Sequence, residues 1–124
     1  MVVEDFHSFR RLVNSKLEQM PELRVICEVS DGQEAVHRAR ELRPDLILLD
    51  IGVPTLNGID AARRILALVP DSKIIFLSQE TSADIVQEAM RLGAWGYVFK
   101  SHAAVELLPA IDAVLSGKRF VSCA

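Results

Sequence analysis

Four apolar runs in this chain end in side chains that could do chemistry. Val2-Val3 leads into Glu4-Asp5, Leu46-Ile47-Leu48-Leu49 into Asp50, Ile74-Ile75-Phe76-Leu77 into Ser78, and Gly96-Tyr97-Val98-Phe99 into Lys100. Brought together, these ends supply three carboxylates, one hydroxyl and one ammonium. Three carboxylates at close range repel. At an effective dielectric near 20, each pair about 4 Å apart costs about 4 kcal/mol. A divalent cation relieves that repulsion, and hard Mg²⁺ takes oxygen ligands, keeps several waters and needs only one or two carboxylates. A carboxylate beside such an ion can attack phosphorus as a covalent nucleophile. The oxygens of a transferred phosphoryl group must then be neutralised, a task suited to the Lys100 ammonium and the Ser78 hydroxyl. Taken singly, each residue has a plainer reading. Lys100 reads as a solvated strand-end lysine, Ser78 as a turn residue, Asp50 as a loop residue after a strand, and Glu4 and Asp5 as acids favoured at a helix start. Only the joint pattern points to chemistry.

The elements that must position these residues follow from the same pattern. A continuous apolar run reads as a strand buried on both faces, as in a parallel sheet. Leu23 to Val29, with Val25, Ile26 and Cys27, reads as a further strand. Between the runs, apolar residues recur at helical spacing: Phe6, Phe9, Val13, Leu17 and Met20 before Pro21; Ala35, Val36, Ala39 and Leu42 before Pro44. The pattern continues with Ile59, Ala62, Ile65, Leu66 and Val69 before Pro70, then Ile85, Val86, Ala89 and Leu92 before Gly93, then Leu107, Leu108, Ile111, Val114 and Leu115 before Gly117. Asp31 with Glu34 resembles a capping box. Ser101 is expected to cap the last helix, and Pro109 to make its first turn irregular or kinked. Five strands alternating with five helices imply an α/β fold, a parallel sheet covered on both faces. The carboxyl ends of its strands share one edge, where open α/β sheets place their ligands.

The totals exclude other classes. At 124 residues the chain fits one domain, and with 50% hydrophobic and 25% charged residues it can build a core and stay in solution. A net charge of −3 from 14 basic and 17 acidic residues gives no support to nucleic-acid binding by this chain itself. No apolar run approaches the roughly 20 residues of a membrane span. Met1 is followed almost at once by Glu4 and Asp5, so no signal peptide is visible. Cys27 and Cys123 suggest neither a disulfide framework nor a metal spacing. Cys27 is expected as a buried thiol, and a reducing cytoplasm fits. His7, His37 and His102 are scattered and read as surface or structural residues. Trp95 reads as packing and Arg63-Arg64 as a solvated helix face.

At this point the residues carry a family resemblance. Glu4-Asp5, Leu48-Leu49-Asp50 with Pro54 and Gly58 behind it, Leu77-Ser78 and Gly96-Tyr97-Val98-Phe99-Lys100 resemble, in this order and spacing, a response-regulator receiver domain over essentially the whole chain. The resemblance implies a (βα)5 three-layer flavodoxin-like, CheY-like fold with a five-stranded parallel sheet in the order 2-1-3-4-5. It places the receiver at 1–119 and reads 120–124 as a tail or the start of a linker. By resemblance, Asp50 accepts a phosphoryl group from a sensor histidine kinase or a small-molecule donor. Asp5 would be a direct Mg²⁺ ligand, with Glu4 nearby through water, and Asp50 and the backbone carbonyl of Gly52 would complete the metal site. Ser78 would bind a phosphoryl oxygen and Lys100 would pair with the acyl phosphate. Tyr97 stands where the family has its switch aromatic, which turns inward as Ser78 moves, a population shift between two states. The implied function is phosphorelay signal transduction by a switch, not turnover of an external metabolite by an enzyme.

Several positions depart from the family pattern. Glu4 stands for the commoner Asp, Gly52 has no side chain to reach the phosphoryl group, and Gln79 replaces a small residue and could restrict access to Asp50 or movement of Tyr97. Glu80 and Gly52 occupy positions that tune phosphoryl lifetime. Ser101 stands where many receivers have proline, so a trans bond is expected. Phe9-Arg10 and Lys100-Ser101 resemble the NarL/LuxR-type transcriptional regulators, which join a receiver to a helix-turn-helix domain. This chain is expected to be a receiver separated from such a regulator rather than a stand-alone one. It would then meet DNA only through that output domain. A homodimer is also expected, with the last helix and the face around Tyr97 as candidate surfaces. One rival is a non-phosphorylated pseudo-receiver acting as an interaction scaffold. Another is a Mg²⁺-dependent phosphohydrolase, which would need a general acid just after Asp50, where Ile51, Gly52 and Val53 supply none.

Overall fold

The computed structural model describes residues 1–123, and helices and strands alternate along them. The strands are β1 (Val2–Val3), β2 (Glu28–Val29), β3 (Leu46–Asp50), β4 (Lys73–Ser78), β5 (Gly96–Phe99) and β6 (Phe120–Val121). The helices are α1 (His7–Leu17), α2 (Gly32–Leu42), α3 (Gly58–Leu68), α4 (Ala83–Arg91) and α5 (Ala103–Leu115). All strand pairs are parallel, in the order β2-β1-β3-β4-β5-β6. The expected five-strand order is therefore present, extended by one short strand at the edge.

Strand residues alternate between two cores because successive side chains point to opposite faces. Val3, Ile47, Leu49, Ile74, Phe76, Tyr97 and Phe99 pack with α2, α3 and Ala89 of α4. Val2, Leu48, Ile75, Leu77 and Val98 pack with Val13 and Leu17 of α1 and Leu107, Ala110, Ile111 and Val114 of α5. Both faces are thus covered, which is why the strands read as unbroken apolar runs. Among the described residues, no helix is long and apolar enough to cross a membrane.

Several expectations are corrected. Leu23–Val29 pairs over only two residues, Glu28 and Val29, which lie level with Val2 and Val3 of β1. Val25 and Ile26 are left exposed and Cys27 is half-buried. Phe120 and Val121, expected in a tail, pair with Gly96 and Tyr97. Ser122 holds that segment down by accepting from the Phe99 N–H and donating to Glu106. The last expected tail residue, Ala124, lies outside the described residues.

Ser101 does not cap α5. It lies inside a 3-10 turn, Lys100–His102, that feeds the helix. The helix runs on through Pro109, which faces solvent, so the carbonyl that loses its partner can turn to water. None of the described peptide bonds is cis. Trp95 is half-buried, with the Lys73 ammonium 4.5 Å and the Arg119 guanidinium 5.3 Å from its ring centre.

Candidate functional site

The register fixes how the strand ends meet. Asp50 on β3 lies level with Leu77, and Ser78, one residue further along β4, lies level with Phe99, the residue before Lys100. Because the sheet is parallel, Glu4-Asp5, Asp50, Ser78 and Lys100 emerge at the same edge.

Local bonds hold each side chain in place. Glu4 is fully buried, and its Oε2 accepts the Phe6 N–H at 3.0 Å. Arg10 donates from Nε (3.1 Å) and Nη2 (2.7 Å) to the Glu4 carbonyl, and Nη2 also donates to Ser30 Oγ at 2.9 Å, so α1 clamps the end of β1. Asp50 is buried, and its Oδ1 accepts the Gly52 N–H at 3.1 Å. The Lys100 ammonium donates to Asp50 Oδ2 at 3.2 Å and lies 2.8 Å from Glu4 Oε1 and 4.6 Å from the centre of the Phe9 ring. The buried Ser78 Oγ accepts the Glu80 N–H at 2.9 Å.

Two glycines allow the helices to close on this edge. A Cβ at Gly58 would stand 2.4 Å from the Asp50 carbonyl oxygen and 2.6 Å from the Ile51 Cα. One at Gly32 would stand 1.7 Å from the Leu56 carbonyl oxygen. Only glycine lets the starts of α2 and α3 approach the Asp50 loop so nearly. Asp31 and Asn57 cap those helices, accepting from the Glu34 and Asp60 N–H groups.

The electrostatics are those of a charge cluster partly removed from water. Burial pushes the Glu4 carboxyl above its ordinary pKa, and Lys100 opposes that shift. Burial also raises the Tyr97 hydroxyl. Carboxylate oxygens of Glu4, Asp5 and Asp50 lie within 4.8 Å of one another. The lysine stands close to Glu4 Oε1 without the angle of a directed hydrogen bond, so that buried oxygen keeps a free lone-pair direction. An all-oxygen, carboxylate-rich set in which one ammonium serves two buried carboxylates fits a hard divalent cation.

These groups open onto a cavity of about 330 Å³, lined by Asp5, Asp50, Gly52, Ser78 and Lys100. Phe6, Ile51, Gln79 and Glu80 complete its lining. Every residue expected at the site other than Tyr97 is at this edge. Tyr97 lies on β5 behind it, fully buried, and its hydroxyl donates to the Glu80 carbonyl at 2.8 Å. The carboxylate cluster of Glu4, Asp5 and Asp50 contains no histidine, and His37 pairs with Glu41 and His102 with Glu106. Phe9-Arg10 entered the sequence reading only as part of a family resemblance; the Arg10 bonds to the Glu4 carbonyl and the Lys100 contact with the Phe9 ring were not foreseen. A local signal was that one turn of α1 carries both residues close behind the acid pair.

Residues 1–112 match the family described as the response regulator receiver domain. The chain is 32% identical over 121 residues to the transcriptional regulatory protein DegU of Brevibacillus brevis, a match covering 98% of this chain and 51% of that protein. It is 33% identical over 122 residues to the response regulator UvrY of Escherichia coli, covering 98% of this chain and 56% of that one. The chain thus spans about half the length of these relatives. A solved structure of a LuxR-family two-component response regulator from Aurantimonas sp. SI85-9A1 aligns with a TM-score of 0.91 at 32% identity, over 97% of this chain and 86% of the other.

Proposed function

The chain belongs to the response-regulator receiver domain family, and from that premise we propose that it accepts a phosphoryl group on Asp50 from a sensor histidine kinase in the cytoplasm. The observation that carries this reading is the placement of Asp50. It is a buried carboxylate at the base of a cavity, with one oxygen held by the Gly52 N–H and the other by Lys100. Both contacts aim the carboxylate and leave its remaining lone pairs for phosphorus. Glu4, Asp5, Asp50 and the Gly52 carbonyl would hold Mg²⁺, which when bound supplies positive charge to the phosphoryl oxygens. The Lys100 ammonium pairs with the acyl phosphate once it has formed.

The switch runs through Glu80. Its N–H bonds Ser78 and its carbonyl bonds Tyr97, so one residue ties hydroxyl and aromatic together. A phosphoryl group that recruits Ser78 Oγ draws on the bond to Glu80 and biases the loop that Tyr97 holds. The output is transcription, through a helix-turn-helix domain of a longer regulator, with dimerisation at the α5 or Tyr97 face. The protein is a self-phosphorylating switch rather than an enzyme acting on an external metabolite.

Intact-mass spectrometry after incubation with acetyl phosphate, with and without Mg²⁺, tests this reading. A single Mg²⁺-dependent phosphoryl adduct that Asp50→Asn loses is the expected result. A folded protein that takes no adduct and binds no beryllofluoride would instead be an interaction scaffold.

A further inference from the structure

Phe6 is 61% exposed and is one of the residues lining the Asp50 cavity. It occupies the N-cap of α1 and makes no side-chain capping bond there. Ser, Thr, Asp and Asn are preferred at that position because their oxygens satisfy an otherwise free N–H. Helices α2, α3 and α4 follow the rule, capped by Asp31, Asn57 and Ser82, whereas α5, entered through the 3-10 turn, shares with α1 the lack of a side-chain cap. At α1 a cap is forgone and a phenyl ring is left in water. What sets Phe6 apart is that the exposed ring lines the cavity of a reactive group, the kind of place where departures from local preference are expected to serve function. The sheet order β1-β3-β4 puts Phe6, after β1, on one side of Asp50 and the polar pair Gln79-Glu80, after β4, on the other.

Resting on the reading of Asp50 as phosphoryl acceptor, we propose that Phe6 is a specificity residue for the donor. Its ring packs against a planar aromatic leaving group, the imidazole of a phosphohistidine. The Asp50 Oδ–P bond forms as the imidazole N–P bond breaks, and the departing imidazole takes up a proton from water. Offset or edge-on ring contact holds the leaving nitrogen over the cavity. The contact also removes the exposed phenyl from water. A leaving group without a ring gains neither.

The test compares two P–N donors that differ by the ring, phosphoimidazole and phosphoramidate, on the full chain, on Phe6→Ala and on Phe6→Tyr. Initial rates of adduct formation are read by mass. The expected result is that the phosphoimidazole-to-phosphoramidate rate ratio falls about two- to tenfold in Phe6→Ala and stays near the parent value in Phe6→Tyr. A ratio unchanged in Phe6→Ala, or lost equally in Phe6→Tyr, overturns the proposal. Uptake from neither donor by the parent chain would instead remove the acceptor reading itself, and this proposal with it.

Discussion

The Lys100 ammonium lies closer to Glu4 than to Asp50: 2.8 Å from Glu4 Oε1 against 3.2 Å from Asp50 Oδ2. One cation therefore compensates two buried carboxylates. Glu4 is the more deeply buried and depends on it more. Breaking a buried ion pair from one side leaves an uncompensated charge at a cost of about 3–5 kcal/mol. Lys100→Met should lower the unfolding free energy by about 3 kcal/mol. Adding Glu4→Gln to that variant should restore most of the loss. Urea denaturation of the two single variants and the double variant measures the coupling, and simple additivity would refute it.

Glu4 also sets a pH dependence. Its folded pKa is raised above the ordinary value of 4.5, chiefly by burial. The folded state therefore holds the proton more tightly than the unfolded chain does. The corresponding stability is fully present below the unfolded pKa and is lost as pH rises through the folded value. In metal-free buffer, Glu4→Gln should gain stability relative to the parent as pH is raised above 4.5. A difference that stays constant across that range would show that Glu4 titrates normally.

Tyr97→Phe keeps the ring in its packing against Phe76 and Phe99 and deletes only the bond to the Glu80 carbonyl. The expected loss is about 1 kcal/mol, with faster hydrogen exchange at the Glu80 amide, which Ser78 otherwise holds. Unchanged exchange would uncouple Tyr97 from Ser78.

Gly58→Ala presses a methyl group onto the Asp50 carbonyl and the Ile51 Cα. Overpacking of this kind costs about 1–3 kcal/mol. It should also slow adduct formation at Asp50, because the strand end must shift to make room. Thermal denaturation and the acetyl phosphate reaction read the two effects. A variant with parent stability and parent rate would mean that the start of α3 can move aside freely.

Much of the architecture was legible because its signals are local. Leu46 to Leu49 is apolar without alternation, so β3 had to be covered on both faces, and helical spacing between such runs left a parallel sheet as the consistent arrangement. In a parallel sheet the chain positions of Asp5, Asp50, Ser78 and Lys100 become spatial neighbours by topology alone. Where a strand depended on a neighbour rather than on itself, the signal failed. Val25 and Ile26 have strand composition, yet of that run only Glu28 and Val29 join the ladder with β1. Phe120 and Val121 are too few to read as a strand, yet β5 offers them an open edge.

The site divides along the same line. Residue types and order determined which groups reach the edge: the acid pair, the Asp50 carboxylate, the hydroxyl and the cation, each at the end of a run whose hydrophobicity fixes its own course. Only the tertiary structure decided how they pair. That Lys100 favours Glu4 and that Tyr97 is directed inward onto Glu80 follow from packing between separate segments, and even the local Arg10 clamp on the β1 end reaches on to Ser30 beyond β2. Burial and close contact, unlike periodicity, exist only once those segments meet.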